Sequence, residues 1–525
     1  MGAMKTQGRH VTVVVIGYND AVHITEAVAS ALAQGPAVAE VVAVDDCSTD
    51  GTGDVLDRLA AAEPRLRAVR RTTNSGGCGT PRNDGIAAAG SPYLMFLDSD
   101  DVLPPGAVDA LLAAAVDHDA DVTAGLCVRR ELPDGRETPW RPELHEAAAV
   151  IARPADDPRL AEDTLCVNKL YRTGFLREHA IAFPDGKFVY EDFVFTARVQ
   201  AAAPRVALIT DTVYVWHVRR SAKQLSISLD RSGVENWRAR VEAHRQVVAI
   251  HTEVGNKALV RAARAGFLDR SVRMYVRELG ARGPEYRREW WRLTREYLAG
   301  FDAADLAATT APARVIAGVV LAADQPRDLP RLAALAARPP RLLPPYAAEP
   351  VWSQDLPQVA LEDLVTAPVD RLPLTVEAAL ETGATRARLT LRVHDLYGRL
   401  AAARPLTADV EIRDRTDGSV LQRRTAALTA AGGGWDARVS LDLPALLAGP
   451  LATRDVAVVV RCADGESVET VPHAVRKGLR RTVVPTLRGG ALLAQPYATA
   501  DGALALRLAP ALRGALSVVR RRLGR

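Results

Sequence analysis

The sequence predicts an α/β domain on a mostly parallel sheet, then a helical middle region, then an all-β sandwich of immunoglobulin-like size. Three observations carry this. Four apolar, strand-like runs alternate with helix-patterned segments in the first hundred residues. Helical spacing then dominates residues 234–300, and after Val351 the apolar period changes to two. At 525 residues the chain exceeds one ordinary core. The expected division is 10–230, 231–350 with a Pro-rich linker, 351–475, and a C-terminal extension 476–525.

Val11-Thr12-Val13-Val14-Val15-Ile16 is a β-branched run of the kind buried in parallel sheets, and Gly17-Tyr18-Asn19-Asp20 turns at its exit. A helix follows, with Ile24, Val28, Ala31 and Leu32 on one face. A second run, residues 40–44, ends in Asp45-Asp46-Cys47-Ser48-Thr49-Asp50-Gly51-Thr52. After a helix over about 54–62, a third strand (66–70) leads to Asn74-Ser75-Gly76-Gly77. A helix bearing Arg82, Asn83 and Asp84 follows, and Tyr93-Leu94-Met95-Phe96-Leu97 delivers Asp98-Ser99-Asp100-Asp101. Alternation of this kind implies right-handed crossovers and ligand binding outside the carboxyl ends of the strands. Four polar strand exits would meet on one edge. Three carboxylates at one exit repel one another unless a cation joins them, and Mg²⁺ or Mn²⁺ takes such oxygen ligands. The competing reading is a solvated acidic turn or helix cap.

No GxGxxG follows the first strand and no GxxxxGK[ST] occurs, which disfavours a dinucleotide-binding domain and a P-loop. The net charge of +4 is small for this length and argues against a nucleic-acid role. Five scattered cysteines without a CxxC pair argue against zinc ribbons and disulfide scaffolds and fit a reducing cytosol. Met1-Gly2-Ala3 reads as an addition ahead of a natural Met4. Neither a signal peptide nor a spanning helix is expected, so the predicted location is cytoplasmic. The preference for Ala, Arg, Val and Leu over Lys and Ile suggests a GC-rich bacterial genome.

Further along, residues 107–119 read as a helix and 121–128 as a strand. Leu165-Cys166-Val167-Asn168-Lys169-Leu170-Tyr171 is strand-like, and Tyr190-Glu191-Asp192-Phe193 opens a helix. A strand then ends at Trp216-His217, ahead of the basic segment 219–226. Aromatic stripes within 234–300 read as core. Alternating segments such as Arg388-Leu389-Thr390-Leu391-Arg392-Val393-His394, with Gly-rich turns between them, predict the β-sandwich, read as a binding or oligomerisation module. Leu508, Leu512, Leu516, Val519 and Leu523 share one helical face among arginines, predicting a basic amphipathic helix able to lie on an anionic membrane.

Six motifs in order resemble the family 2 glycosyltransferases with the GT-A (Rossmann-like) fold. They are Val14-Val15-Ile16-Gly17-Tyr18-Asn19, Val44-Asp45-Asp46 through Thr52, Asn74-x-Gly76-Gly77 with Arg82-Asn83, Phe96-Leu97-Asp98-Ser99-Asp100-Asp101, Asn168-Lys169-Leu170-Tyr171 and Tyr190-Glu191-Asp192-Phe193. The resemblance covers roughly residues 10–230, with Gly17 where the family often has Pro.

It implies an inverting, metal-dependent hexosyltransferase using a UDP-sugar. Asp46 or Asp45 would accept from a uracil imide, with Tyr18 stacking nearby and Asn19 in the same turn. Asn74, Gly76 and Arg82 would face the ribose and pyrophosphate, and Asp98 and Ser99 the ribose or donor sugar. Asp100 would bind Mn²⁺ or Mg²⁺, with His217 a further ligand. Lys169 would lie near the donor, and Arg219, Arg220 and Ser226 would close on the diphosphate. Asp192 would be the general base, with Glu191 beside it on the acceptor or the base; Asp101 would cap the turn.

The joining of such a domain to a β-sandwich is similar to the layout of wall teichoic acid glycosyltransferases, which transfer N-acetylglucosamine from UDP to polyol-phosphate chains and can form trimers. A homo-oligomer and a polymeric or glycan acceptor are implied, such as a teichoic-acid-like polyol phosphate or polysaccharide. A small-molecule or lipid-linked acceptor is the alternative. A nucleotidyltransferase would need a basic Gly-rich first loop. A non-catalytic carbohydrate-binding scaffold would not need Asp98, Asp100 and Asp192.

Overall fold

The computed structural model describes residues 10–133, 135–219, 230–383, 385–446, 453–475, 479–485 and 491–510. It divides into two compact units, residues 1–266 and 267–525.

The first unit begins with β1 (Val11–Gly17), every residue of which is buried, as its β-branched run requires. The order continues α1 (Ile24–Leu32), β2 (Val38–Asp45), α2 (Thr52–Ala62), β3 (Leu66–Arg70), α3 (Gly79–Ala88), β4 (Tyr93–Asp98) and α4 (Ala107–Asp117). The strands β3-β2-β1-β4 are parallel neighbours, the order expected from successive crossovers. The core beneath them joins Val13 and Val15 of β1 to Val41 and Val42 of β2 and to Met95 and Leu97 of β4.

The far half of the sheet departs from the expected parallel arrangement. β5 (Val122–Glu131), β6 (Arg136–Trp140), β7 (Ala149–Ile151), β8 (Lys169–Arg172) and β9 (Val206–Val218) complete nine strands among the described residues. β8 runs antiparallel to both β4 and β5, β6 pairs antiparallel with β5, and β7 does so with β9. The sheet is therefore mixed. A buried apolar run sets burial on both faces but not strand direction. α5 (Thr173–Glu178), α6 (Glu191–Ala201), α7 (Glu235–Glu253) and α8 (Lys257–Gly266) follow. The first unit thus runs past residue 230 to include two helices of the expected middle region.

The second unit opens with α9 (Arg273–Leu279), α10 (Pro284–Leu298), α11 (Ala303–Ala307), α12 (Ala311–Ala322) and α13 (Leu329–Ala336). The Pro-rich stretch after them is not a free linker. Arg341 is fully buried, donates to the carbonyl of Val471 at 3.1 Å and also bonds the carbonyl of Asp501. Thr375 Oγ1 donates to the carbonyl of Leu342 at 2.6 Å.

Among the described residues, the strands from β10 (Val376–Thr382) onward form sheets of five and seven strands. Leu389, Leu391 and Leu441 of one sheet share a core with Val410, Val458 and Leu506 of the other. Three strands, Thr482–Pro485, Ala491–Ala498 and Leu504–Pro510, belong to the seven-stranded sheet. The β region therefore continues past the expected limit of 475. Leu508, expected to start an amphipathic helix, lies in the last of these strands, and 511–525 lie outside the described residues. No helix among the described residues is long and apolar enough to cross a membrane.

Candidate active site

Register places the strand exits side by side. Ile16 pairs with Asp98, Gly17 with Asp45, and Asp45 with Arg70. The chain reverses direction across the sheet between β1 and β4, where open α/β sheets bind ligands. Gly17 suits this crowding: a Cβ there would stand 3.2 Å from Ile24 Cδ1 and 3.3 Å from Ser99 Cβ. Non-glycine residues at positive φ mark three turns of the edge, Asn19 (52°), Cys47 (64°) and Tyr190 (69°). Such backbone strain collects at functional sites.

At the β1 and β2 exits, Tyr18 is 52% exposed, leaving its ring free to stack. The Asn19 side chain is engaged locally, accepting from Thr49 N–H at 2.8 Å, and Asp45 accepts weakly from Ser48 N–H at 3.3 Å. Asp46, expected as an open acceptor, is instead filled from within. Asn74 Nδ2 (3.0 Å), Ser75 N–H (3.1 Å) and Ser75 Oγ (2.7 Å) donate to it, and Arg71 Nε pairs at 2.8 Å. Four donors saturate a carboxylate. Asn74, expected on the ribose, spends its amide on Asp46 and on Gly76 N–H at 2.9 Å. Together Asp46 and Asn74 shape the Arg71–Gly76 loop, and Gly76 holds φ +81° in it.

The Asp98–Asp101 turn separates its carboxylates. Asp101 is buried and accepts from Tyr214 Oη (2.7 Å) and His217 N–H (2.8 Å). Rather than capping the turn, it ties the turn to β9. Ser99 is turned away from solvent and donates to Asp20 at 2.7 Å, while Asp20 also meets His23 Nδ1 at 2.5 Å. The Asp100 carboxyl is pushed up to about 6 by burial and by the charges of Asp98 and Asp20. Arg219 opposes this, lying 3.2 Å from the carboxylate.

A hard divalent cation fits this accumulation of negative charge. The His217 ring sets Nδ1 3.0 Å from the Asp100 carbonyl, an arrangement that leaves Nε2 as the nitrogen able to ligate. Burial holds its protonation below the usual imidazole range. Among the described residues, no three His, Cys, Asp or Glu side chains already surround one point. Arg220 and Ser226 lie outside the described residues.

Lys169 does not reach the donor side. It is buried, 2.6 Å from Asp163 and 3.0 Å from Asn168 Oδ1, in a structural ion pair between β8 and the segment before it. Arg82 also departs from its expected place on the pyrophosphate. α3 presses against β1 so closely that a Cβ on Gly85 would sit 2.1 Å from Val14 Cγ1. This approach drives Arg82, one turn earlier, beneath the site. Its side chain is 4% exposed and pairs at 2.6 Å with both Asp98 and Glu191. Glu191 is thus committed to Arg82.

Asp192, next in α6, makes no ion pair among the described residues; Phe193 N–H donates to it at 3.0 Å. Burial, reinforced by the Glu191 charge, pushes its carboxyl up to about 7. α3 also fixes the approach to α6. Asn83 brackets Phe183 with bonds of 2.8 and 3.0 Å, and Thr80 Oγ1 bonds Asp185 at 3.0 Å. Below, Phe195 of α6 stacks on Phe183 with centroids 3.9 Å apart, and Phe96 of β4 meets both rings edge-on.

Sequence reasoning passed over Asp20, Arg71 and Arg240. Asp20 and Arg71 stand at strand exits, a position that could have marked them. Arg240, 4.3 Å above the Tyr190 ring, comes from α7, and no local pattern announces it.

Residues 12–178 match the model of Glycosyl transferase family 2. Over 217 residues the chain is 31% identical to the poly(ribitol-phosphate) beta-N-acetylglucosaminyltransferase TarS of Staphylococcus aureus, covering 41% of this chain and 36% of that protein. The poly(ribitol-phosphate) beta-glucosyltransferase of Bacillus spizizenii is 29% identical over 36% of this chain and 29% of its own length. The succinoglycan biosynthesis protein ExoO of Rhizobium meliloti is 30% identical over 42% of this chain and 64% of its own. The chain thus spans well under two thirds of the first two relatives. The crystal structure of S. aureus TarS matches 95% of this chain and 85% of its own, with a TM-score of 0.54 and 19% identity. TarS 1–349 in complex with UDP-GlcNAc matches 62% of this chain and 90% of its own, with a TM-score of 0.51 and 22% identity. These two likenesses are likenesses of fold. The strand exits at residues 17–101 fall within the stretch that the family model matches, so the match and the mixed sheet describe the same part of the chain.

Proposed function

We propose that the chain is an inverting, metal-dependent glycosyltransferase that moves N-acetylglucosamine or a related hexose from a UDP-sugar to a hydroxyl of a cell-surface polymer such as a polyol phosphate. The observation that carries this is Asp192. It is a carboxylate without an ion pair among the described residues, at the first turn of α6, next to the Glu191–Arg82–Asp98 bridge that joins α6 to the strand exits. Supporting it are the names of two relatives, both poly(ribitol-phosphate) beta-transferases, and a TarS structure holding UDP-GlcNAc.

In this reading Tyr18 stacks on the base and Asp98 faces the ribose or donor sugar. Asp100 and His217 would hold Mn²⁺ or Mg²⁺, which would supply positive charge against the departing diphosphate. Asp192 takes the proton of the acceptor hydroxyl as its oxygen attacks the anomeric carbon, and the bond to UDP breaks on the opposite face. The C-terminal β region, immunoglobulin-like in size, serves binding or assembly of a homo-oligomer. The deciding experiment is a thermal-shift screen of UDP-, GDP-, TDP- and CDP-sugars with Mn²⁺, followed by transfer to poly(ribitol phosphate). A UDP-sugar raises Tm most, because ligand bound to the folded state stabilises it. A stronger response to another nucleotide would remove the donor assignment.

Two outcomes follow from the site chemistry. Asp100→Ala weakens Mn²⁺-dependent UDP binding by about tenfold or more in calorimetric titration, since a carboxylate ligand is lost. Unchanged affinity would remove Asp100 from the metal. A base works as the carboxylate, so with Mn²⁺ saturating, transfer rises with pH through about 7 and levels above it. Below that point the rate falls about tenfold per pH unit. A profile flat between pH 5 and 8, the window in which Asp192 changes charge, would count against a base with this proton affinity.

A further inference from the structure

We propose that Arg82 is a positioning residue that acts on Asp192 through Glu191: its buried guanidinium clamps Glu191 to Asp98 and so sets the place of the carboxylate next to the base. This rests on the base reading of Asp192 and deepens it.

The geometry is specific. One guanidinium nitrogen of Arg82 lies 2.6 Å from Glu191 and the other 2.6 Å from Asp98, and the side chain is buried. A buried arginine between two carboxylates fixes both, because its fork is planar and always charged. Phe183 packs against the guanidinium at 5.4 Å, and the missing side chain at Gly85 lets α3 lie close against Val14 of β1. Glu191 and Asp192 are neighbours in the first turn of α6, so the anchor reaches the base without touching it. It also joins the donor side to the acceptor side by one side chain.

The groups that act on Asp192 come from several elements. Glu191 on its own helix raises its proton affinity, and Arg82 of α3 and Arg240 of α7 lower it. The Cys78 and Cys166 thiols, pushed up by burial, and the Tyr171 phenol stand close enough to interact with Asp192 and are neutral at working pH. The balance therefore lies between one neighbouring carboxylate and two guanidinium groups. Removing Glu191's charge and removing Arg82's charge must move Asp192 in opposite directions, which a purely structural role would not do.

The test is an NMR pH titration of ¹³Cγ-aspartate-labelled protein, with the Asp192 signal identified by its loss in Asp192→Asn. Glu191→Gln lowers the Asp192 midpoint by about one unit, Arg82→Met raises it by about one unit, and Arg82→Lys falls between Arg82→Met and the parent. The acid limb of the pH–rate profile moves with it. If Arg82→Met gives no folded protein, Arg82→Gln takes its place as the charge removal, and Glu191→Gln and Arg82→Gln decide by the same opposite signs. Midpoints unmoved, or moved the same way by both charge removals, overturn the proposal. The titration needs no turnover. A parent protein that transfers no sugar would sink the functional reading alone, whereas an unmoved midpoint in an active enzyme would sink only the role of Arg82.

Discussion

Asp192→Asn lowers kcat for sugar transfer by about 10²–10⁴-fold, the range that a positioned general base contributes. Asparagine has the same shape, and its carbonyl oxygen can keep the bond from Phe193 N–H. Asp192 makes no ion pair among the described residues, so folding and Mn²⁺-dependent UDP binding stay within about twofold of the parent, as expected when an interaction made in the transition state is removed. Single-turnover transfer beside calorimetric UDP binding separates these effects. Turnover within about tenfold of the parent would take Asp192 out of the base role, because the remaining candidate, Glu191, is already held by Arg82.

Phe195→Ala destabilises the protein by about 3–5 kcal/mol, read from urea unfolding, which is the range for deleting a buried phenylalanine. The ring is fully buried. Beyond its stack on Phe183, it meets Tyr171 edge-on at 5.5 Å and Phe96 at 5.8 Å. Few neighbours can collapse into the gap, since each ring is braced by the others. Phe195→Leu recovers part of the loss by refilling volume. A loss below about 1.5 kcal/mol would mean that the cavity closes by relaxation and that α6 is seated by other contacts.

Much of the first half was legible because its signals are local. The β-branched run at Val11–Gly17 and the polar residues at each exit are read from neighbours in sequence. Which way a charged side chain turns is not local. Arg82 meets Glu191 across 109 residues and Asp46 meets Ser75 across 29, so residue type and order could identify these groups but not their partners. Lys169 is the clearest case. Its motif suggested a place near the donor, and the carboxylate it pairs with, Asp163, belongs to none of the motifs. The strand Leu504–Pro510 was obscured for another reason. Leu504, Leu506 and Leu508 alternate, but Leu508 also opens a run spaced by four, and the two periods compete over the same residue.

The buried Arg341 changes how the second unit can be taken apart. Composition invites a cut at the prolines, yet this guanidinium reaches carbonyls 130 and 160 residues downstream. Severing the chain at 350 would strip a charged group of its acceptors and leave a vacant hole in the β region. The prolines therefore join residues 267–350 to the strands as one cooperative folding block, not as a hinge between separable modules.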